Sequence, residues 1–276
     1  SPNSRLVCVW TNPQLQARCV SSRPCWINAA IKCSLALSGN IIFLFYWKMA
    51  MSMSFNIEAI AVVEAEFKQK FGIARQPGLV QAAKINIVLH QNFSQDAVRG
   101  LSEFEYIWVH FVFHDAIAEG WSELVRPPRL GGKTKKGIFA TRTPHRPNHL
   151  GLSLLKLEEI QLDKPITLIC SGADLLDGTP VIDIKPYIPF VEAKPNALSG
   201  FVDGAPPVLE VTWSVEALKQ LQDSDLNQDL VEQTVAQDPR PAYQNISDRI
   251  YYMQISGYEV QFKINEKQAE IVFLTK

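Results

Sequence analysis

The apolar positions of this chain fall in short runs, rich in β-branched and aromatic residues, that polar turn residues separate. Residues 57–63 are mostly apolar, and 85–89 set Ile, Val and Leu around Asn86. Residues 107–113 read Ile-Trp-Val-His-Phe-Val-Phe, a composition that suits a pleated, half-buried surface. Further strands are expected at 137–141, 152–157, 166–170 and 181–184. Gln76-Pro77-Gly78, Arg126-Pro127-Pro128-Arg129 and Asp177-Gly178-Thr179-Pro180 supply turns between them. Many short strands with frequent turn signals predict an all-β sandwich or barrel, not a doubly wound sheet. One helix is expected at 95–101, with Arg99-Gly100 ending it.

Beyond Pro189 the pattern changes. Residues 193–207 read as loop and 208–213 as strand. Residues 214–222 read as a helix with Ser214 as its N-cap, and 227–237 as a second helix. Strands follow around 251–254, 258–264 and 269–274, and Val260-Gln261-Phe262-Lys263-Ile264 alternates as a half-buried strand should. The expected organisation is a mainly β domain over 51–194 and a small C-terminal α+β domain over 195–276. The front of the chain differs in kind. Residues 1–48 hold no Asp or Glu and show no sustained period, and Met49, Met51 and Met53 then arrive together. Residues 1–50 are therefore expected to be a disordered or non-native extension, with a targeting segment as the alternative. The uninterrupted apolar run 41–47 is too short to span a bilayer, and no small-residue cleavage pattern follows it.

Charge narrows the function. The 276 residues carry a formal net charge of −1, which argues against a general nucleic-acid coat protein. The positive charge is local. No Asp or Glu occurs between Glu123 and Glu158, and that window holds Arg126, Arg129, Lys133, Lys135, Lys136, Arg142, Arg146 and Lys156. Such a segment suits phosphates or a carboxylate, where Arg offers a planar fork and Lys a point charge. Cys8, Cys19, Cys25 and Cys33 lie at the front and only Cys170 in the remainder, with neither disulfide-scaffold nor zinc spacing. A lone cysteine in 49–276 predicts a reduced, intracellular, cytoplasmic protein with no membrane partner.

Candidate chemistry centres on Gly137-Ile-Phe-Ala-Thr-Arg-Thr-Pro-His-Arg-Pro-Asn-His-Leu-Gly-Leu-Ser153. Pro144 and Pro147 exclude regular helix and central strand, and they stiffen a loop bearing Arg142, Arg146 and Asn148. There is no dinucleotide-binding glycine fingerprint after a strand, no P-loop, no paired-histidine zinc helix and no serine elbow. His110 and His114 would share one face of a strand, but no third ligand completes a metal site, so none is expected. Arg75-Gln76-Pro77-Gly78-Leu79 reads as a type II turn with exposed backbone donors. Asp183, between Ile182 and Ile184, is costly to bury unless paired or reactive; a salt bridge to Lys185 is the plain alternative. Asp238-Pro239-Arg240-Pro241-Ala242-Tyr243 sets a carboxylate, a guanidinium and a phenol on a proline-stiffened loop, and the plain alternative is a domain-linking turn.

Taken in order, 75–79, 96–100, 108–114, 125–132, 137–153, 174–190 and 238–243 resemble the TsaA-like family, the TrmO-type tRNA N6-methyltransferases. His149 stands where that family's pattern has Pro or a small residue. The resemblance implies a TsaA-like β-barrel that binds S-adenosyl-L-methionine, a small C-terminal domain and a homodimer. It implies methyl transfer to N6 of N6-threonylcarbamoyladenosine at position 37, beside the tRNA anticodon. By motif position the cofactor would meet Pro77, Gly78, Leu79, His114, Asp115, Arg142, Leu152 and the turn Ser171, Gly172, Ala173, Asp174. Asp183 or Asp238 would accept the proton, and Asn148 and Tyr243 would position the base. Arg126, Arg129, Lys133, Lys135, Lys136, Arg146, Lys185 and Arg240 would hold the anticodon stem-loop. A methyltransferase for another substrate, or a binding module without turnover, stands as the rival reading.

Overall fold

The computed structural model describes residues 54–240 and 249–276. From Asn56 to Lys276 the chain is one compact unit. Six strands close into an antiparallel barrel in the order β1 (Ala61–Ala65), β2 (Lys84–Leu89), β7 (Thr167–Ser171), β6 (Leu150–Gln161), β3 (Tyr106–Val112) and β8 (Pro180–Pro186). β4 (Leu124–Val125) and β5 (Lys136–Gly137) pair as a small ribbon inside the long connection from β3 to β6.

The period-2 pattern explains the closure. Ala61, Val63 and Ala65 of β1, Ile107, Val109 and Phe111 of β3, and Ile85 and Ile87 of β2 all turn inward and are buried. Each large aliphatic side chain so buried contributes about 1.5–3 kcal/mol. β8 needs one correction of phase. His110 faces Asp183 but Phe111 faces Val181, so Ile182 is bulged out of the ladder. The bulge lets both Val181 and Ile184 pack on the barrel core and leaves Asp183 and Lys185 outside. Gly151 has no side chain because the Phe111 ring crosses it, and a Cβ there would lie 2.3 Å from the ring.

Antiparallel neighbours reverse direction at every step, so successive connections leave alternate ends of the barrel. Connections 66–83, 113–149 and 172–179 therefore emerge at the same end.

A second sheet runs β10 (Ile250–Ile255), β11 (Tyr258–Asn265), β12 (Gln268–Thr275) and β9 (Glu210–Trp213), with β9 parallel to β12. Helices α2 (Val215–Gln222) and α3 (Gln228–Ala236) accompany it, after the single-turn α1 (Pro189–Glu192). The Ser214 and Asn227 side chains cap α2 and α3 by accepting from Ala217 N and Leu230 N. The core of this sheet, around Met253, Phe262 and Val231, also takes Phe67, Ala74, Val80 and Ala83 from the 66–83 connection. That connection thus belongs to the barrel by sequence and to the second core by packing.

Three sequence expectations are corrected. Residues 138–140 form a 3-10 turn rather than a strand, because only Lys136 and Gly137 find a partner strand. The helix at 95–101 is two 3-10 turns, Gln95–Val98 and Leu101–Glu103, divided by Gly100 at φ +82°. His114 lies in a 3-10 turn after β3, so it does not share a strand face with His110. Among the described residues no helix is long and apolar enough to cross a membrane.

Gly72 sits at φ +99°, and a Cβ there would lie 2.5 Å from the Sδ of fully buried Met253. Gly72→Ala combines backbone strain with overpacking and is expected to cost about 2–4 kcal/mol. Urea unfolding should show a lower midpoint with the slope unchanged; an unchanged midpoint would mean that 66–83 is not tied to the second core.

Candidate active site at one end of the barrel

Two of the three connections at this end, 66–83 and 172–179, meet through backbone hydrogen bonds, and the third joins them through side chains. Gly78 N donates to Gly172 O at 2.8 Å. Both glycines have positive φ, +81° and +70°, and a Cβ on Gly172 would stand 3.3 Å from Gly78 Cα. The turn at Pro77-Gly78 therefore does not leave this donor exposed, as its sequence suggested; the second turn uses it. Gln81 Nε2 donates to Gly78 O at 2.8 Å and steadies the turn from behind.

Arg142 of the proline-stiffened loop reaches the same turn, with Nη1 donating to Gln76 Oε1 at 2.7 Å. Gln76 in turn donates to its neighbour's carbonyl, Arg75 O, at 2.6 Å. The loop itself is held internally. Arg146 Nη1 donates to Thr141 O at 3.1 Å, and His149 Nδ1 lies 3.0 Å from Pro144 O. Asn148 and His149 both take left-handed φ, +64° and +50°. Proline cannot adopt the His149 value, so this loop tip follows a path that a Pro there would not permit.

Asp174 follows Gly172 and enters the barrel mouth. The buried Ser153 hydroxyl, on β6, donates to its Oδ1 at 2.6 Å. Burial pushes the Asp174 carboxyl up from its ordinary 3.8 to about 6, against the lowering influence of Ser153 and the Arg142 charge. Ser153 ended the motif in the sequence without being assigned a part; the signal was a hydroxyl in an otherwise apolar inward register.

The C-terminal loop joins from the other core. Asp238, at φ +48°, accepts from Arg240 Nε and Nη2, both at 2.8 Å, in a bidentate pair. Partial burial would raise the Asp238 pKa, but Arg240 outweighs it and, helped by the Arg75 charge, holds the carboxyl below its ordinary range. Arg75 Nη2 donates to Asp238 O at 3.4 Å and Arg240 O at 3.2 Å. Gln237 Nε2 donates to Leu79 O at 3.4 Å. Tyr243 lies outside the described residues.

His114 and Asp115 border this end, 3.4 Å from each other, and Lys70 of the 66–83 connection lies 3.9 Å from the Asp115 carboxylate. Other expected residues are placed elsewhere. Asp183 is on the outer barrel wall, ion-paired with Lys185 and accepting from Ile184 N. Beside it burial and the Lys185 charge lower the His110 pKa. Leu152 is exposed on the same wall, opposite His110. The Ser171 hydroxyl donates to Glu158 at 2.6 Å rather than facing the Gly78 turn. Of the basic window, Arg126, Lys133 and Lys135 are exposed, Arg129 pairs with Asp203, and Lys136 lies over the Phe201 ring. A cleft of about 510 Å³ opens instead beside β1 and β2, lined by Glu64, Lys68, Lys84, Asn86, Asp177 and Ser256. Its Lys68 and Asp177 neutralise each other at 2.8 Å, and it contains none of the residues above. Among the described residues no three His, Cys, Asp or Glu side chains cluster to hold a metal.

Residues 62–193 match the family model of the tRNA-methyltransferase O N-terminal domain, and 206–276 match that of the TrmO C-terminal domain. The chain belongs to the TrmO family. The tRNA (adenine(37)-N6)-methyltransferase of Escherichia coli K12 is 39% identical over 230 residues, covering 80% of this chain and 98% of that protein. A Pseudomonas aeruginosa protein named as a putative S-adenosylmethionine-dependent methyltransferase is 43% identical over 198 residues, 70% of this chain and 84% of that protein. The crystal structure of TrmO from Pseudomonas aeruginosa superposes with a TM-score of 0.67 at 32% identity, covering 81% of this chain and 99% of that one. The mainly β barrel with its C-terminal α+β sheet is thus the TrmO architecture.

Between about pH 4 and pH 6 the folded chain keeps a proton on Asp174 that the unfolded chain has released. Its contribution therefore favours folding at low pH and is lost as pH rises through about 6. Asp174→Asn, which imitates the protonated form, should gain stability relative to the parent across this range and then level off. Denaturant unfolding at a series of pH values reads the difference; a flat difference would place Asp174 in a wetter setting.

Proposed function

We propose that this chain transfers the methyl group of S-adenosyl-L-methionine to N6 of adenosine 37 in tRNA, with N6-threonylcarbamoyladenosine as the base acted on. One observation carries this reading in a TrmO-family chain. Gly172, Arg142 and the Asp238–Arg240 loop are each hydrogen-bonded to the one short segment Arg75–Gly78 at the loop end of the barrel.

The residues suit the cofactor. Two glycines without Cβ atoms, flanked by Pro77 and Leu79, give a bare surface for close approach. Arg142 offers a guanidinium to a carboxylate tail, and Asp174, ionised above about pH 6, offers an anion to a cationic group. The cofactor supplies a methyl group already activated on a sulfonium.

The chain's own work is orientation and proton transfer. Holding the reacting atoms in line contributes roughly 7–11 kcal/mol in good cases. Of the two candidate carboxylates, Asp238 is favoured as the acceptor of the N6 proton, because Arg75 ties its backbone to the head of the Gln76–Gly78 turn while Asp183 lies on the outer wall with Lys185. Arg240 keeps Asp238 ionised and therefore a weak base. A weak base suffices, since N6 becomes strongly acidic only as the new N–C bond forms. Arg146 and Arg240 are assigned to the threonyl carboxylate or a phosphate, and Asn148 and Tyr243 to positioning the base. Arg126, Arg129, Lys133, Lys135 and Lys136 are assigned to stem-loop phosphates, with binding that weakens as salt rises. Two copies of the chain would form the working enzyme.

The test is incubation with labelled S-adenosyl-L-methionine and tRNA with or without its threonylcarbamoyl group. Label is expected at N6 of position 37 in the modified tRNA alone. Asp238→Asn should lower kcat about 100-fold or more while Asp183→Asn stays within about threefold. Equal labelling of unmodified tRNA would refute the substrate assignment, and the reverse order of the two variants would refute the base.

A further inference from the structure

The Gln76–Gly78 turn touches Arg142 and Gly172, and among the described residues the side chains of Gln237, donating to Leu79 O, and of Arg75 join its two ends to the C-terminal segment. Arg75 lies at the head of the turn, and its guanidinium caps two carbonyls of the opposite loop, Asp238 O and Arg240 O. The same residue's own carbonyl is held by Gln76, whose other amide atom accepts from Arg142. Two residues further on, Gly78 leans on Gly172. A displacement of the turn on the cofactor side therefore moves the guanidinium that fixes the loop carrying Asp238. Asp238 is itself at left-handed φ, a strained backbone that needs outside support. Part of that support comes from Arg240 within the loop, and Arg75 supplies the rest from the 66–83 connection.

We propose that Arg75 is a positioning residue that couples the two halves of the site, so that occupation of the Pro77–Gly78 turn sets the Asp238–Arg240 loop for substrate. This rests on the assignment of the turn to the cofactor and the loop to tRNA. Coupling of this kind is reciprocal: whatever factor the cofactor adds to tRNA affinity, tRNA adds to cofactor affinity. Removing Arg75 should abolish that factor while leaving each site present.

The full chain and its Arg75→Met and Arg75→Lys variants would be compared by hydrogen exchange over 236–240, with and without S-adenosylhomocysteine, and by steady-state kinetics on modified tRNA. In the parent, S-adenosylhomocysteine is expected to slow exchange at 236–240. In Arg75→Met that slowing should vanish, and KM for tRNA should rise roughly tenfold, as expected for lost hydrogen bonds from a charged donor. Affinity for S-adenosylhomocysteine alone, read by calorimetry, should stay within about twofold, and Arg75→Lys should recover part of the loss. Unchanged exchange in Arg75→Met overturns the proposal. So does an equal loss of cofactor and tRNA affinity, which would place Arg75 in the cofactor site itself. If Arg75→Met does not fold, Arg75→Lys with its intermediate exchange and KM decides the same question. A parent enzyme that methylates no tRNA would refute the function, while the exchange comparison would still decide the coupling.

Discussion

The hydrogen bond from the Gly78 amide to the Gly172 carbonyl is the contact on which the rest of the site depends. It joins the connection after β1 to the connection after β7, and it relies on both residues taking positive φ and on Gly172 lacking a Cβ that would crowd Gly78 Cα. Barrel closure brings those connections to one end; the glycines let them touch. Once they touch, Arg142 has a fixed partner in Gln76, Asp174 is directed into the barrel mouth toward Ser153, and Arg75 can reach the C-terminal loop. The second core reinforces the arrangement, because Phe67, Ala74, Val80 and Ala83 anchor both ends of the 66–83 connection in it. A surface loop between two barrel strands would otherwise be free to move. Here it is a strut shared by two cores.

The chemistry follows from where charge is neutralised and where it is not. On the outer wall Asp183 and Lys185 satisfy each other, and near β1 Lys68 and Asp177 do the same. At the loop end the balance is incomplete. Asp174 is held by a hydroxyl rather than a cation, and Arg142 is bonded to a neutral amide. A site built in this way retains electrostatic capacity for a zwitterionic ligand, which brings its own carboxylate and its own positive charge. Asp238 has the opposite character. Its fork with Arg240 keeps it ionised and oriented, a suitable state for a group that must accept a proton only late in a reaction.

Much of this was legible in the sequence, and the limits have physical causes. The strand runs at 85–89 and 107–113 and the alternation at 260–264 were clear because side-chain period and β-branching agree there. Ser214 announced its helix because a capping side chain acts locally. Residues 138–140 misled because three apolar residues cannot distinguish a strand from a tight turn without knowledge of a partner. The inward phase of β8 was hidden by one bulged residue, Ile182, which turned Asp183 from a candidate base into a surface ion pair. The motifs named several residues that meet at the loop end of the barrel, among them Gly78, Arg142, Gly172 and Asp238. The site's wiring could not be read, because Arg75 to Arg240, Arg142 to Gln76 and Ser153 to Asp174 are contacts between segments that only barrel closure brings together.

What occupies the Gly78–Gly172 surface decides whether this end of the barrel is a cofactor site. A crystal structure of the full chain with S-adenosylhomocysteine tests this most directly. The ligand should lie within about 4 Å of Gly78 and Gly172, with its carboxylate toward Arg142. Density instead in the cleft lined by Glu64, Lys84 and Ser256, with the two glycines untouched, would contradict it.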